Sequence, residues 1–430
     1  MPSGVHRPSA KNPPVKPELL APAGSLEKCR IAFLYGADAV YVGGKEYSLR
    51  AYAPNFDLEE IAAACFLAHQ LGKKLYVTVN TFARQDDLQK LPPYLKYLDE
   101  IHPDGLIVSD PGIILLARQY APHVPLHLST QANTTNALSA AFWQSQGVSR
   151  VNLARELSYQ ELFDIRAQST LELEVFIHGA MCVSYSGRCL LSAFLNQRSA
   201  NRGLCTQPCR WSYSLVEEKR PGQFFPVHED DHGSYIFNSK DLCLLDELGK
   251  LMSMGINAFK IEGRMKGVLY LASVIRAYRH AIDTWWQSPE EFQVSASWRE
   301  DVECVSHRPY TSGLFLGSSG QEHNAIAPSV AYLQTHTLAG IVRTFPGELN
   351  EAISHPSLAS GHLVVVEARS PLRRGTILEF LHPDGSTTLH VLEDFHNLRG
   401  ELLAQAHPNT WITFPVSFPT VNFQAIRTAR

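Results

Sequence analysis

The 430-residue sequence contains no run of eighteen apolar residues, so no transmembrane helix is expected. It has no strong excess of either charge. The 38 lysines and arginines stand against 42 aspartates and glutamates, and the net charge of −4 does not announce a polyanionic partner. A basic face on an acidic protein still binds phosphate, so nucleic acid stays open. No Gly-x-Gly-x-x-Gly follows a strand-like run, which disfavours a dinucleotide fold. Gly-x-Ser-x-Gly is missing, and with it the usual serine hydrolase signature. No C-x2-C knuckle of a structural zinc site occurs. Residues 1–17 are polar and proline-rich, without the apolar core of an export signal, and read as a disordered extension. A cytoplasmic location is therefore expected, with the eight cysteines reduced rather than paired in disulfides.

What is present is an alternation of short strand-like runs with longer helical ones. Residues 18–22 (ELLAP), 39–42 (AVYV), 75–80 (LYVTVN), 105–109 (GLIVS), 126–130 (LHLST), 151–154 (VNLA), 173–177 (LEVFI) and 258–262 (AFKIE) make eight candidate strands. Most are continuous apolar runs, as strands covered on both faces require. Asp57 with Glu60 makes a capping box ahead of a helix. The alternation predicts an α/β fold with a parallel sheet, closed as a (β/α)8 TIM-type barrel over residues 18–330. Residues 212–235 are polar and irregular and read as an insertion between barrel strands. Runs at 341–344, 363–368, 376–381 and 387–392, with a turn at Pro383, Asp384 and Gly385, predict an appended small C-terminal β-barrel domain over residues 331–430.

Barrel chemistry sits just past the strand ends. Those positions hold Asn80, Asp110, Gln131, Arg155, His178, Glu262 and Arg264, among glycines and alanines. The segment after the seventh strand differs in kind. Cys182, Cys189, Cys205 and Cys209 fall within 28 residues, spaced C-x6-C and C-x3-C, with Arg188, Arg202 and Arg210 among them. Clustered thiols in loop-like sequence point to a metal or an iron–sulfur cluster, although small buried cysteines also pack well in cores. Cys29 and Cys65 fall in predicted helices and read as core, and Cys243 is a possible substitute ligand. His178, four residues before Cys182, also leaves open a cysteine–histidine nucleophile pair.

Several segments resemble the U32 peptidase-like family: PELLAPAGS at 17–25, GADAVYVGG at 36–44, EVFIHGAMCVSYSGRCLLS at 174–192, NSKDL at 238–242, KIEGR at 260–264 and SHRPYTSGLF at 306–315. SDPG at 109–112 and HLSTQAN at 127–133 are most similar to its tRNA-hydroxylating branch. That resemblance implies prephenate-dependent formation of 5-hydroxyuridine at the wobble position of tRNA. It also implies an iron–sulfur cluster, 4Fe-4S in type, on Cys182, Cys189, Cys205 and Cys209, and leaves the redox partner unnamed. Other branches imply hydroxylation of an rRNA cytidine or a ubiquinone precursor, and the family name implies peptidase activity. The candidate catalytic residues are then His178, Glu262 and Arg264, and the candidate substrate-binding residues Arg155, Arg188, Lys240 and Lys260. Arg155, Arg188 and Arg264 suit the two carboxylates of prephenate. Lys240, Lys260, Arg264, Lys266, Arg276 and Arg279 make a candidate basic face for RNA, with Arg373 and Arg374 as a second one.

Overall fold

A computed structural model describes residues 15–49, 55–181, 188–189, 191–208, 240–317, 332–344 and 362–430, with the backbone of four two-residue strands between 215 and 234. Most of the N-terminal extension and of the 212–235 insertion lies outside the described residues. Seven parallel strands run in chain order around a ring: β1 (Glu18–Pro22), β2 (Ala39–Gly43), β3 (Lys74–Val79), β4 (Gly105–Val108), β5 (Leu126–Leu128), β6 (Val148–Asn152) and β7 (Glu172–Ala180). The short strand β8 (Asp241–Cys243) stands outside the ring, and β9 (Ala258–Ile261) closes it. Ala258 pairs in parallel with Glu174 on one side and Glu18 on the other.

Helices α1 (Leu26–Leu34), α2 (Leu58–Gln70), α3 (Gln85–Ile101), α4 (Pro111–Tyr120), α5 (Ala137–Ser145) and α6 (Tyr159–Gln168) follow the first six strands. Ser25, Asp57, Asp110, Asn136 and Ser158 accept backbone amides at five of their N-termini, satisfying donors that the helices themselves cannot. Two short helices, α7 (Leu191–Asn196) and α8 (Leu248–Ser253), precede β8 and β9 respectively, and the closing strand leads into the long α9 (Val268–Gln287). Among the described residues no helix is long and apolar enough to cross a membrane.

Strand periodicity divides the barrel residues in two. Leu19, Val40, Val77, Val108, Val151, Val175 and Phe259 face the helices and join the main core. The alternate positions turn inward and are mixed in character. Leu20, Tyr41, Tyr76 and Ile107 pack there, alongside buried Thr78, His127, Arg150, Asn152, Glu174 and Lys260.

β7 is longer than its neighbours, and β8 pairs antiparallel with its extension, Leu242 opposite Gly179 and Cys243 opposite His178. A further strand, β10 (Tyr310–Thr311), adds in parallel to β8. Between β9 and β10 come α9 and the helix Ala296–Glu303.

The C-terminal module is a curled antiparallel sheet of β11 (His336–Arg343), β12 (His362–Ala368), β13 (Ile377–Leu381), β14 (Thr387–Val391), β15 (His396–Asn397), β16 (Trp411–Val416) and β17 (Ala425–Ala429). Its spatial order is β14–β13–β17–β11–β12–β16–β15. Val366, Phe380, Phe395, Phe414 and Ile426 fill its own small core. Polar anchors fasten it to the barrel helices. Arg276 of α9 binds Asp301 at 2.6 Å and donates to the Ser386 carbonyl at 2.9 Å. Arg427 of β17 reaches Glu379, Glu300 and Asp301. Arg276 is 2% exposed, and Arg279 pairs with Asp38 and Asp283. The stretch expected to present a basic face thus spends these two arginines on internal pairing.

Tyr35, 1% exposed at the end of α1, donates its hydroxyl hydrogen to the Leu381 carbonyl at 2.8 Å and accepts from the Ala425 amide at 2.9 Å. Tyr35→Phe leaves both backbone groups buried without this partner. The expected cost is about 1–3 kcal/mol, read as a lower urea midpoint. An unchanged midpoint would show that the sheet docks independently of this contact.

Candidate active site

A cavity of about 100 Å³ opens at the C-terminal mouth of the barrel. Successive strands and the turns after them line it: Tyr41 from β2, Thr78 and Asn80 from β3, Ile107 from β4, Ser129 and Gln131 after β5, Arg155 and Glu156 after β6, Phe176 and Met181 from β7, and Lys260, Glu262 and Arg264 from β9 onward. Cys189 and Cys205 border the same space.

Three cations meet there, each differently held. Arg155 donates to the Ala180 carbonyl at 2.7 Å, lies 3.8 Å from Glu262, and covers the Phe176 ring at 3.9 Å. Lys260 is paired with Glu174 at 2.8 Å, with Tyr41 and Phe176 beside its ammonium. Arg264 donates to Ser48 Oγ at 2.9 Å and to the Leu49 carbonyl, bracing the turn after β2. That guanidinium lies across Gly43, where a β-carbon would collide with it, so the close approach requires glycine.

The remaining sequence candidates fall in other places. Arg188 is exposed at the rim and donates to the Gln131 carbonyl at 3.0 Å. Lys240 is half-buried ahead of β8 and does not line the cavity. Asp110 serves as the cap of α4, accepting from Gly112 and Ile113. His178 does not line the cavity either. Phe176 points inward, and simple alternation would send His178 the same way. The register shifts, however, between the pairs Lys260–Phe176 and Ile261–His178. The extra residue turns His178 outward with Ile261. There it sits among Tyr270, Tyr278 and Tyr310, 1% exposed. Burial pushes its pKa down to about 3; Asp241 opposes this, while His307 and Lys266 add to it.

Cys182 and Cys209 lie outside the described residues. Cys189 and Cys205 are half-buried free thiols that share one local geometry. The amide of Leu191 donates to Cys189 Sγ at 3.4 Å, and the amide of Gln207 donates to Cys205 Sγ at 3.3 Å. In both, the donor is two residues on. Amide hydrogen bonds to sulfur suit thiolates that ligate an electron-rich cluster. The segment is moored to the barrel: Asn201 Oδ1 accepts from the Cys189 amide, its carbonyl accepts from Phe82 after β3, and Arg202 binds Asp87 at 2.6 Å. Cys243 borders a separate cleft with Asp246 and Tyr310, and burial pushes its thiol up to about 11. Cys29 and Cys65 are buried in helices, and burial raises them to about 12 and about 11.

Glu174, His127, Asn80 and Ser129 were not singled out as site residues by composition or spacing, apart from the strand-end position of Asn80. The signal available was polarity at inward positions of otherwise apolar strands.

A TIM-type barrel with two thiols and three cations around a polar mouth defines an α/β-barrel protein with a chemically equipped site. The chain belongs to peptidase family U32, whose model matches residues 24–325. It is 39% identical over 93% of its length to tRNA hydroxylation protein P1 of Bacillus subtilis, covering 92% of that protein. To tRNA hydroxylation protein P of Escherichia coli it is 36% identical, covering 93% of this chain and 94% of the relative. A 23S rRNA 5-hydroxycytidine synthase of Escherichia coli is 33% identical over 80% of this chain, but only 51% of that relative is covered.

Proposed function

We propose that this chain hydroxylates tRNA, forming 5-hydroxyuridine at the wobble position, with an iron–sulfur cluster on Cys182, Cys189, Cys205 and Cys209 and with prephenate as a required small acid. The observation that carries the reading is that Cys189 and Cys205, with matching amide donors, border the same cavity as Arg155 and Lys260. The near full-length match to tRNA hydroxylation proteins supports tRNA as substrate over rRNA, since the rRNA relative is about twice as long as the part that matches. Such chemistry belongs in the cytoplasm, where tRNA and reduced thiols coexist.

A bound cluster supplies one-electron chemistry beside the cavity. The chain's own groups do the rest. Arg155 and Lys260 bind the acid's carboxylates, while Asn80, Ser129 and Gln131 offer donors and acceptors to the polar edge of an unstacked base. Phe176 provides an apolar wall between the two cations. Proteolysis has weaker support. His178, the imidazole nearest Cys182 in sequence, faces a tyrosine cluster and is neutral at physiological pH.

The test combines anaerobic purification, iron and sulfide analysis, and nucleoside mass spectrometry of tRNA. Cys189→Ser and Cys205→Ser should each lose the bound iron and bring 5-hydroxyuridine to background, whereas Cys29→Ser keeps both. Full iron content in the quadruple variant of Cys182, Cys189, Cys205 and Cys209 would sink the cluster assignment. Hydroxylated cytidine in rRNA with no change in tRNA would move the substrate to the ribosome.

A further inference from the structure

The interior of this barrel carries a line of alternating charge. Barrels of this type are ordinarily filled by branched apolar side chains. Here Lys260, at the cavity floor, pairs with Glu174 at 2.8 Å, and the two side chains are 4% and 2% exposed. The second oxygen of Glu174 makes no hydrogen bond, and Arg150 lies 3.7 Å from it. Arg150 in turn binds Glu18 at 2.6 Å and Glu172 at 2.8 Å. Glu18 meets Lys74 at 3.0 Å. Glu172 and Lys74 are about half exposed, at 51% and 53%, so the line starts in solvent at the N-terminal face and ends under the cavity.

Stability does not account for this arrangement. Taking ions out of water costs several kcal/mol each, and well-packed apolar replacements of buried pairs are often neutral or stabilising. What the line does deliver is an ammonium fixed at the base of a cavity. Glu174 satisfies Lys260 from beneath, and Tyr41 and Phe176 flank it. Arg264, by contrast, is committed to Ser48 and Leu49, and Arg188 lies at the rim.

We propose that Lys260 is the carboxylate-binding cation of the cavity floor, and that Glu174, backed by Arg150 and Glu18, is the positioning residue that holds its ammonium in place. The ligand class is a small organic acid, one carboxylate on Lys260 and any second one within reach of Arg155. This rests on the reading above in naming prephenate as the acid and Lys260 as one of its partners, and adds Glu174 and the charged line behind it. Lys260 acts here as an ion partner of the acid and forms no covalent bond to a keto group.

The test is calorimetric binding of prephenate, phenylpyruvate and succinate to the full chain and its variants. Wild type should bind prephenate saturably. Lys260→Met should weaken binding by roughly 30-fold or more, and Glu174→Gln by about tenfold. In the Glu174→Gln/Lys260→Met double variant, the effect of Glu174→Gln should vanish, giving the affinity of Lys260→Met alone within about twofold. A merely structural Glu174 gives additive losses instead. Glu174→Leu/Lys260→Met removes both charges, so it should fold with a thermal midpoint near or above wild type and still fail to bind. Borohydride with phenylpyruvate should leave no adduct on Lys260. Undiminished prephenate binding in either Lys260→Met variant, additive losses, or a trapped Lys260 adduct would overturn the assignment while leaving the prephenate reading intact. Lys260-dependent binding of phenylpyruvate or succinate, with no binding of prephenate, would uphold the assignment and overturn prephenate. No binding of any of the three acids overturns both.

Discussion

Replacing Arg308 by methionine should destabilise the protein by about 3–5 kcal/mol, because it strands a carboxylate in the interior. Asp241 is 3% exposed and Arg308 1%. Arg308 donates from Nε at 3.0 Å and Nη2 at 2.7 Å to Asp241 Oδ1, and from its backbone amide at 3.1 Å to Oδ2. Burial pushes the Asp241 carboxyl up, but the charges of Arg308 and Lys266, with the hydrogen bonds from Arg308, together outweigh it and hold the pKa below the ordinary carboxylate value. A depressed carboxylate contributes its stability above the unfolded pKa of about 3.9, and that contribution is lost as pH falls, so it is fully present at neutral pH. Arg308→Met leaves Asp241 with the weaker attraction of Lys266, so that it keeps a poorly compensated charge, takes up a proton, or pulls β8 away from β10. The paired variant Asp241→Leu/Arg308→Met should recover most of the loss, since no charge is then buried. Urea midpoints of the three proteins measure this. A loss below about 1 kcal/mol for Arg308→Met would mean that solvent reaches the pair. The consequence extends to the site. Gly313, two residues past β10, packs near the Met181 sulfur, and Met181 lines the cavity.

This pair also explains two segments that the sequence presents separately. NSKDL and SHRPYTSGLF lie some sixty residues apart, and no periodicity links them. Their meeting depends on β7 running past the barrel rim and offering an edge to β8, a tertiary event with no local signature. The barrel itself was legible because its outward positions are consistently apolar. All eight expected strands are present, with boundary shifts that have physical causes. The sequence pattern places the sixth strand at 151–154, whereas β6 spans Val148–Asn152. Ser149 and Arg150 look like loop residues, yet Arg150 turns into the barrel and finds Glu18 and Glu172 there. In the C-terminal module the sequence predicts four strands, whereas among the described residues seven form the main sheet and a further pair, Leu372–Arg373 with Gln405–Ala406, lies outside it. One that the sequence pattern does not announce, β16, contains Pro415, which argues against an inner strand. Pro415 pairs with Leu363 on one side, while β15 reaches only Ile412 and Thr413 on the other, so its missing amide falls on an open edge.

The site divides in the same way. Arg155, Glu262, Arg264, Asn80 and Gln131 could be found by counting to strand ends, Lys260 lies within the last strand in the KIEGR segment, and all six converge on one cavity. His178 satisfied the same rule but lies outside that cavity, because a one-residue register shift is invisible in a sequence that alternates normally on either side. Glu174 has the opposite history. It reads as a polar interruption of an apolar strand, and only the closed barrel places it beneath Lys260.

The outward turn of His178 carries the second large expectation, a steep loss of stability in mild acid. His178 is 1% exposed, with its ring nitrogens 3.4 Å from Tyr278 Oη and 3.5 Å from Tyr310 Oη. Burial holds its pKa at about 3. His127, inside the barrel against Tyr76, is also shifted well below the ordinary value, by burial first and then by Arg150, Lys260 and Lys74. In the unfolded chain both titrate near 6.5. Below that pH the unfolded state binds protons that the folded state does not, so stability rises with pH and is lost as pH falls from about 6.5 toward the folded values. His178 contributes a slope of about 1.4 kcal/mol per pH unit over this range, and His127 adds in the same direction. Carboxylates such as Asp241 titrate lower, near and below pH 4, so the window isolates the imidazoles. Urea midpoints at half-unit steps from pH 7.5 to pH 4.5 should therefore fall steadily below about 6.5 in the wild type. His178→Gln cannot take up a proton on unfolding, and its profile should be shallower by about 1.4 kcal/mol per unit over that window. Parallel profiles for the two proteins would mean that His178 is protonated in the fold, with Asp241 close enough to hold an imidazolium among the three tyrosines.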